Sequence, residues 1–483
     1  MQHNDILIGR QAELKVLKAA LQGNEAEMVA VIGRRRVGKT FLVRQAYKDQ
    51  LVFEISGLQG APKREQLAYF AKRLAFYIKS DLPLTPPADW LSAFQQLIAY
   101  LQTRTGSERI AIFFDELPWL ATHRSGFLRA FGAFWNDWAV QQNIVVVICG
   151  SAASWMIRRV VRNKGGLYNR ITRRIHLRAF DLAETATYLA HRNVRMDHYQ
   201  IIQLYMTLGG IPHYLKEVKP GWSATQNIEA ICFSPMGILR DEFSALYYAL
   251  FDNAEQHVRI IRALSEVRRG LTRVELVKAA QLSDGGSTTT VLEELVSSDF
   301  VRVDREFGKK RKEKRFRLSD EYSLFYLQFI ENTTLEEGSW ERLSQTQRYR
   351  SWSGYAFESL CLKHVPYIRR ALGISGTYTE VSTYYRKGDA ELPGTQIDLL
   401  LDRADHVINV MELKFYQDEF VLDKAYAATL RRKLSVFRAA TNTKKQLHLT
   451  LLTTFPMIAN KHSGSLIDKV LTMEVLFGEL PPV

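Results

Sequence analysis

The stretch AEMVAVIGRRRVGKTFLVRQAY constrains this chain more than any other. Met28 to Ile32 is an apolar run of strand length, and from Thr40 onward Phe41, Leu42, Val43 and Ala46 fall at helical spacing. Between them stands Gly33-x-x-x-x-Gly38-Lys39-Thr40. Glycines at both ends of a short loop let the backbone curl until its N–H groups face inward, and the helix start adds partial positive charge. Such a loop is suited to cradling phosphates. Lys39 would reach the β- and γ-oxygens of ATP, and the Thr40 hydroxyl would ligate Mg²⁺.

Two further apolar runs fit strands buried on both faces of the same parallel sheet. RIAIFFDELPWL ends in Asp115-Glu116, and carboxylates at the C-terminal end of such a strand sit at the ligand crevice. Asp115 suits water-mediated Mg²⁺ binding, and Glu116 suits activation of an attacking water. NIVVVICGSAASWM ends in Ser151 and Ser154. A hydroxyl there could sense the γ-phosphate, or Ser151 could simply cap the next helix.

At 483 residues the chain exceeds one core, and length suggests roughly three domains. A net charge of +14 favours contact with polyanions. Cys149, Cys232 and Cys361 are scattered, without metal-ligand spacing, which reads as reduced thiols in a reducing compartment. The first residues lack an apolar secretory core. The longest apolar runs fall short of the ~20 residues a bilayer span needs. A soluble, cytoplasmic protein is expected.

ILIGRQAEL, GRRRVGKT, FFDELPWL, CGSAASWM and LGGIPHYL occur in the order and spacing of archaeal-type P-loop ATPases of the AAA+/STAND kind, which this sequence resembles. The resemblance implies that Gly9 and Arg10 lie near the adenine and that Pro212 packs on it from a helical lid. It also makes Arg170 an arginine finger or sensor. LGGIPHYL lacks the usual sensor-2 arginine, so a switch is expected more than a fast motor.

After the lid, HVRIIRALSEVRRG, LTRVELVKAAQL (capped by Thr272) and STTTVLEELVSSDFV read as three helices. FVRVDREFGKKRKEKRFRLSD then reads as two strands around a basic turn, Gly308 to Arg311. That is the pattern of a winged helix, whose basic tip would contact DNA phosphates. It could equally be an internal packing module with a solvated charged face. The third helix holds little that reads bases.

TTLEEGSWERLSQTQRYRSW looks like a polar connector, followed by a helix, GYAFESLCLKHVPYIRRAL. Then come TQIDLLLD, HVINVMELKFYQ, a helix and QLHLTLLTTF, giving helix–strand–strand–helix–strand. Strand alternation puts Val410, Glu412 and Lys414 on one face. A symmetric hairpin closed by Asp402 to His406 would set Asp398 opposite Val410, with Glu412 as its diagonal neighbour. Two carboxylates beside a lysine form an oxygen-rich site for Mg²⁺ or Mn²⁺, with Lys414 orienting a water. Glu-x-Lys alone means little, since Glu217 and Lys219 show the same spacing. The arrangement resembles the PD-(D/E)XK nuclease core, which adds Glu358 on the first helix.

The expectation is an α/β multidomain protein: a P-loop AAA+-type parallel-sheet core (1–180), helical lid (181–251), winged helix (252–330), linker (331–350) and restriction-endonuclease-like domain (351–483). Its expected function is ATP-switched DNA processing with metal-dependent phosphodiester cleavage. The alternatives are an ATP-dependent DNA-binding regulator with an inactive nuclease fold, and a ring-forming translocase in which Arg170 acts on a neighbour's ATP.

Overall fold

The computed structural model describes residues 6–478, apart from 105, 107, 152, 162–166, 168, 252, 310–312 and 335. The basic tip residues Lys310 and Arg311, and the Ser154 side chain, therefore lie outside the described residues. The chain forms two units, residues 1–179 with 293–299 and residues 180–292 with 300–483.

The first unit is built on a five-stranded sheet. Its strands are β1 (Glu27–Ile32), β2 (Leu51–Ser56), β3 (Ile110–Asp115), β4 (Ile144–Gly150) and β5 (Arg173–His176), in the order β2-β3-β4-β1-β5. All pairings are parallel. Every residue of β3 and β4 is buried, which explains their unbroken apolar sequences. Around them run α1 (Gln11–Gln22), α2 (Lys39–Ala46), α3 (Lys63–Ile78) and α4 (Trp90–Gln102). Phe94, Phe114, Phe127 and Phe131 pack ring to ring at centroid distances of 5.4–6.2 Å, each burial contributing about 1.5–3 kcal/mol. Because β4 lies between β1 and β3, a crevice opens at the carboxyl ends of these strands.

The second unit opens with α5 (Leu182–His191) and α6 (His198–Leu208). Asp181 starts α5 through a capping box with Glu184. The start of α5 is also held by α10 (Gln347–Lys363) and the residues just beyond it. His364 Nε2 accepts the Leu182 N–H at 3.1 Å, while its other nitrogen meets the Leu360 carbonyl at 2.8 Å. Tyr367 donates to Asp181 at 2.5 Å. Gly210 admits no side chain, because a Cβ there would stand 1.9 Å from the Phe180 carbonyl oxygen.

The middle of the chain runs α7 (Ala254–Ser265), β6 (Leu271–Thr272), α8 (Arg273–Ala279), α9 (Gly286–Ser297), β7 (Val301–Asp304) and β8 (Arg315–Leu318). The strands form a small antiparallel sheet in the order β6-β8-β7. Thr272 caps α8 in a capping box with Glu275. The expected connector is not a free linker. It contains the helix Ser339–Leu343, whose Trp340 is 2 % exposed among Phe233, Phe325, Phe329 and Tyr349. One large buried aromatic outweighs the polar composition around it.

The C-terminal sheet has five strands: β9 (Thr379–Arg386), β10 (Thr395–Arg403), β11 (Val407–Lys414), β12 (Gln446–Thr453) and β13 (Lys469–Thr472), with α11 (Lys424–Thr441) between β11 and β12. Their order is β13-β12-β11-β10-β9, antiparallel from β9 to β11 and parallel from β11 to β13. Two of these strands, β9 and β13, are additions to the expected element order. The hairpin register also corrects the expectation. Leu400 pairs with Val410 and Leu399 with Met411, so the ladder carries Asp398 directly opposite Glu412. The turn is three residues, Ala404 to His406, with His406 left-handed at φ 64°. Centring the turn one residue later shifts each partner by two and keeps the same face.

Candidate nucleotide site and a buried acid–lysine cluster

The Gly33–Gly38 loop follows β1 and curls through two left-handed residues, Arg36 (φ 71°) and Gly38 (φ 93°). Gly38 has open space where a Cβ would stand. Gly33 is required for another reason: a Cβ there would lie 2.2 Å from the Leu177 carbonyl oxygen. Lys39, at the start of α2, is 5 % exposed and donates to the Gly33 carbonyl, the Arg34 carbonyl and Ser151 Oγ, each at 2.9 Å. A buried ammonium held by three replaceable acceptors can exchange them for phosphate oxygens.

Three strand ends converge on this lysine. Thr40 Oγ1 donates to Asp115 Oδ2 at 2.7 Å, placing a hydroxyl beside a carboxylate as Mg²⁺ requires. Burial pushes the Asp115 carboxyl above its usual range, against the Thr40 hydrogen bond. Glu116 sits in the left-handed region at φ 44°, a conformation that costs about 1–3 kcal/mol for a residue with a side chain. That conformation turns its carboxylate to β4, where it accepts the Ser151 N–H at 3.0 Å and the Ser151 hydroxyl. Ser151 thus accepts from Lys39 and donates to Glu116, so its hydroxyl serves this site. The residues fit a nucleotide phosphate chain and its Mg²⁺ on this donor set.

Gly9 is left-handed at φ 63°. Arg10 follows it at the head of α1, buried, with its guanidinium reaching the Val37 carbonyl of the loop at 3.4 Å. Arg170 is exposed and precedes β5. Nearby Thr172 bonds to Met28, at the amino-terminal end of β1, whereas the loop leaves its carboxyl end. Within its own chain Arg170 therefore stands at the opposite, amino-terminal end of the strands. The sensor role does not fit this position; a finger role needs a second copy. Pro212 belongs to the second unit, where it opens the helix Pro212–Leu215.

The acid–lysine cluster lies in the second unit. Glu412 is 3 % exposed, and its carboxylate meets Lys414 at 3.0 Å, Lys433 at 2.7 Å and the Tyr426 hydroxyl. Burial raises the Glu412 pKa, but the two lysines outweigh it and hold the carboxyl below its usual range. Asp398 is pushed the other way, up to about 6, by burial and by the Glu412 charge. Glu358 on α10 rises to about 8, through burial and then the Asp398 charge. Arg317 on β8 opposes that rise.

Lys433 and Tyr426 were not foreseen. They stand seven residues apart on α11, hence on one helix face, among the buried Ala427, Leu430 and Phe437. Polar groups on an otherwise apolar stripe were the available signal. Among the described residues no group of three His, Cys, Asp or Glu side chains is arranged to hold a metal. Asp398 and Glu358 offer oxygens to a cation, but Glu412 is already committed to two ammonium groups. The expected Mg²⁺ or Mn²⁺ site of Asp398 and Glu412 does not fit the donor set as it stands.

A parallel sheet with a phosphate loop after β1, an acid pair after β3 and a polar residue after β4 defines the P-loop ATPase class. Residues 7–218 match the family model described as an ATPase domain predominantly from Archaea, so this part of the chain is an archaeal-type ATPase domain. An uncharacterized protein of Methanocaldococcus jannaschii is 22% identical over 417 residues, covering 85% of this chain and 88% of that protein. Among solved structures, a Walker-type ATPase of Pyrococcus abyssi matches with a TM-score of 0.50 at 16% identity, over 67% of this chain and 97% of that one. The ORC2 protein of Aeropyrum pernix matches with a TM-score of 0.41 at 14% identity, over 71% and 98%. Among the described residues no helix is long and apolar enough to cross a membrane.

Proposed function

We propose that this chain is an ATP-hydrolysing switch that acts on DNA and carries a C-terminal domain of PD-(D/E)XK nuclease form. The convergence of Lys39, Ser151 and Glu116 carries the first half of this reading. Lys39 would bind the β- and γ-phosphate oxygens, and Thr40 and Asp115 would hold Mg²⁺, which neutralises charge developing on the phosphates. Glu116 is the group suited to take a proton from the attacking water. To do so it must leave Ser151, and drawing Lys39 towards phosphate loosens that bond. The Gly9–Arg10 pair is assigned to the adenine.

Three features support the DNA half. One is the net charge of +14. Another is the run α7 to β8, which we read as a winged helix. The last is the opposition of Asp398 and Glu412, with Lys414 two residues on, in a helix–three strands–helix–two strands order of the sheet. Cleavage of plasmid DNA in Mg²⁺ or Mn²⁺, with and without ATP, tests the nuclease reading. Cleavage by the wild type that is lost in Asp398→Asn supports it; absence of cleavage under every condition removes it.

Two other readings rest on specific observations. Commitment of Glu412 to Lys414, Lys433 and Tyr426 favours a regulator or scaffold with an inert nuclease fold. Arg170, exposed at the amino-terminal end of the strands, favours a homo-oligomer or ring in which it reaches a neighbour's ATP. ATP turnover per chain that rises with protein concentration, and stops rising in Arg170→Ala, would support the ring.

A further inference from the structure

Beyond Asp304 the chain does not leave β7 directly for the hairpin tip. Residues Arg305 to Phe307 run beside β9, the edge strand of the C-terminal sheet. Thr383 donates its N–H to the Arg305 carbonyl at 3.0 Å, Phe307 donates to the Thr383 carbonyl at 2.9 Å, and Glu306 pairs with Thr383 as in a parallel ladder. The edge is thus occupied by a strand from the hairpin, the geometry by which extended segments commonly bind sheets. Phe307 anchors it, its ring 5.1 Å from Phe437, which Tyr384 of β9 meets at 4.9 Å.

This docking brings a set of cations to the acids. Arg269 lies over the Tyr385 ring at 4.8 Å. Arg315 is tied to Glu306 at 2.9 Å and to Glu275 at 3.1 Å. Arg317 is 5 % exposed and pairs with Asp304 at 3.1 Å. Glu306 and these arginines line one cavity together with Glu358 and Asp398. Its volume is about 10 Å³, roughly enough for one water and far too little for a phosphodiester.

We propose that the segment Arg305–Phe307, annexed to β9, is an autoinhibitory lid that shuts Asp398 and Glu358 away from a polyanionic substrate until it lifts. This rests on the reading of the acid pocket as a nuclease-type site. The arginines are held in place by Glu306, Glu275 and Asp304, and Arg317 offsets part of the rise in the Glu358 pKa. Substrate can enter only when the two ladder bonds to Thr383 and the Phe307 contact are released together.

The test uses the full chain and reads the exposure of the acids themselves: carbodiimide labelling of Asp398 and Glu358 with glycine ethyl ester, followed by mass spectrometry. In Phe307→Ala the labelling rate of both should rise by about tenfold, the scale set by losing one buried aromatic contact. The double variant Glu306→Cys with Thr383→Cys gives a second reading if Phe307→Ala does not fold. Oxidised, it pins the lid and should label at least as slowly as wild type; reduced, it should label faster. Unchanged labelling in Phe307→Ala, or equal labelling of the oxidised and reduced forms, overturns the lid. Cleavage assays in Mn²⁺ on the same proteins separate the two ideas. Faster labelling without cleavage removes the nuclease reading and leaves the lid, whereas cleavage without any change in labelling removes the lid alone.

Discussion

The two polar clusters handle buried charge in opposite ways. At the nucleotide site, Lys39 rests on two backbone carbonyls and a hydroxyl, neutral acceptors that an anion can replace. At the acid–lysine site, Glu412 is matched by two ammonium groups and a phenol. The first cluster is held by weak partners and is poised to exchange them. The second satisfies itself, and its remaining acids, Asp398 and Glu358, lie behind a hairpin. A polar cluster placed to receive a ligand should therefore tolerate losing an internal partner better than one that is already complete.

The contrast is broken most directly by Glu412→Ala. It leaves Lys414 and Lys433 partly buried without their acid, and should destabilise the second unit by about 3–5 kcal/mol in urea unfolding. Adding Lys414→Met and Lys433→Met should restore most of that loss. Lys39→Ala should behave oppositely. ATP hydrolysis should drop by about 10²–10³-fold, the scale of losing one group that stabilises transition-state charge, while the unfolding midpoint stays near wild type. A large loss of stability in Lys39→Ala would erase the distinction between the clusters.

A pH titration of stability sharpens the picture of the second unit. Burial lowers the His364 pKa from 6.5 to about 4. The unfolded chain then binds a proton that the folded chain refuses, so stability is fully present above pH 6.5 and is lost as pH falls towards 4. The loss should total about 3 kcal/mol. In His364→Gln, which keeps a donor and an acceptor, that part of the pH dependence should vanish. The smallest effect belongs to Ser151→Ala, where ATP turnover should fall by about tenfold through misplacement of Glu116, with ATP affinity nearly unchanged. A larger effect on affinity than on turnover would make Ser151 a binding residue instead.

The nucleotide site was legible because its chemistry is local. Gly33, Gly38, Lys39 and Thr40 lie within eight residues, and Asp115, Glu116 and Ser151 end runs whose apolar continuity already marked them as central strands. At the second site the sequence carried less. Asp398, Glu412 and Lys414 stood out as charges on apolar strands, but their pairing depended on where the turn was centred, and left-handed His406 set it one residue later. Strand β9, TEVSTYYR, mixes polar and aromatic residues on a partly exposed edge, so its apolar signal was weak. Trp340 showed the same limit from the other side, since polar neighbours concealed a buried residue.

Sequence alone determined the phosphate loop, the apolar strands that lead to its partners and the face on which Glu412 and Lys414 stand, because strand periodicity and loop geometry are properties of a few consecutive residues. Only the tertiary structure decided which partners met. Lys433 and Tyr426 reach Glu412 from α11, Arg317 reaches the Glu358 pocket from β8, and Arg305 to Phe307 occupy the edge of β9. Those contacts join residues from about 14 to almost 80 positions apart. They form because buried charges and free sheet edges require partners, and packing, not local sequence, determines which groups are within reach.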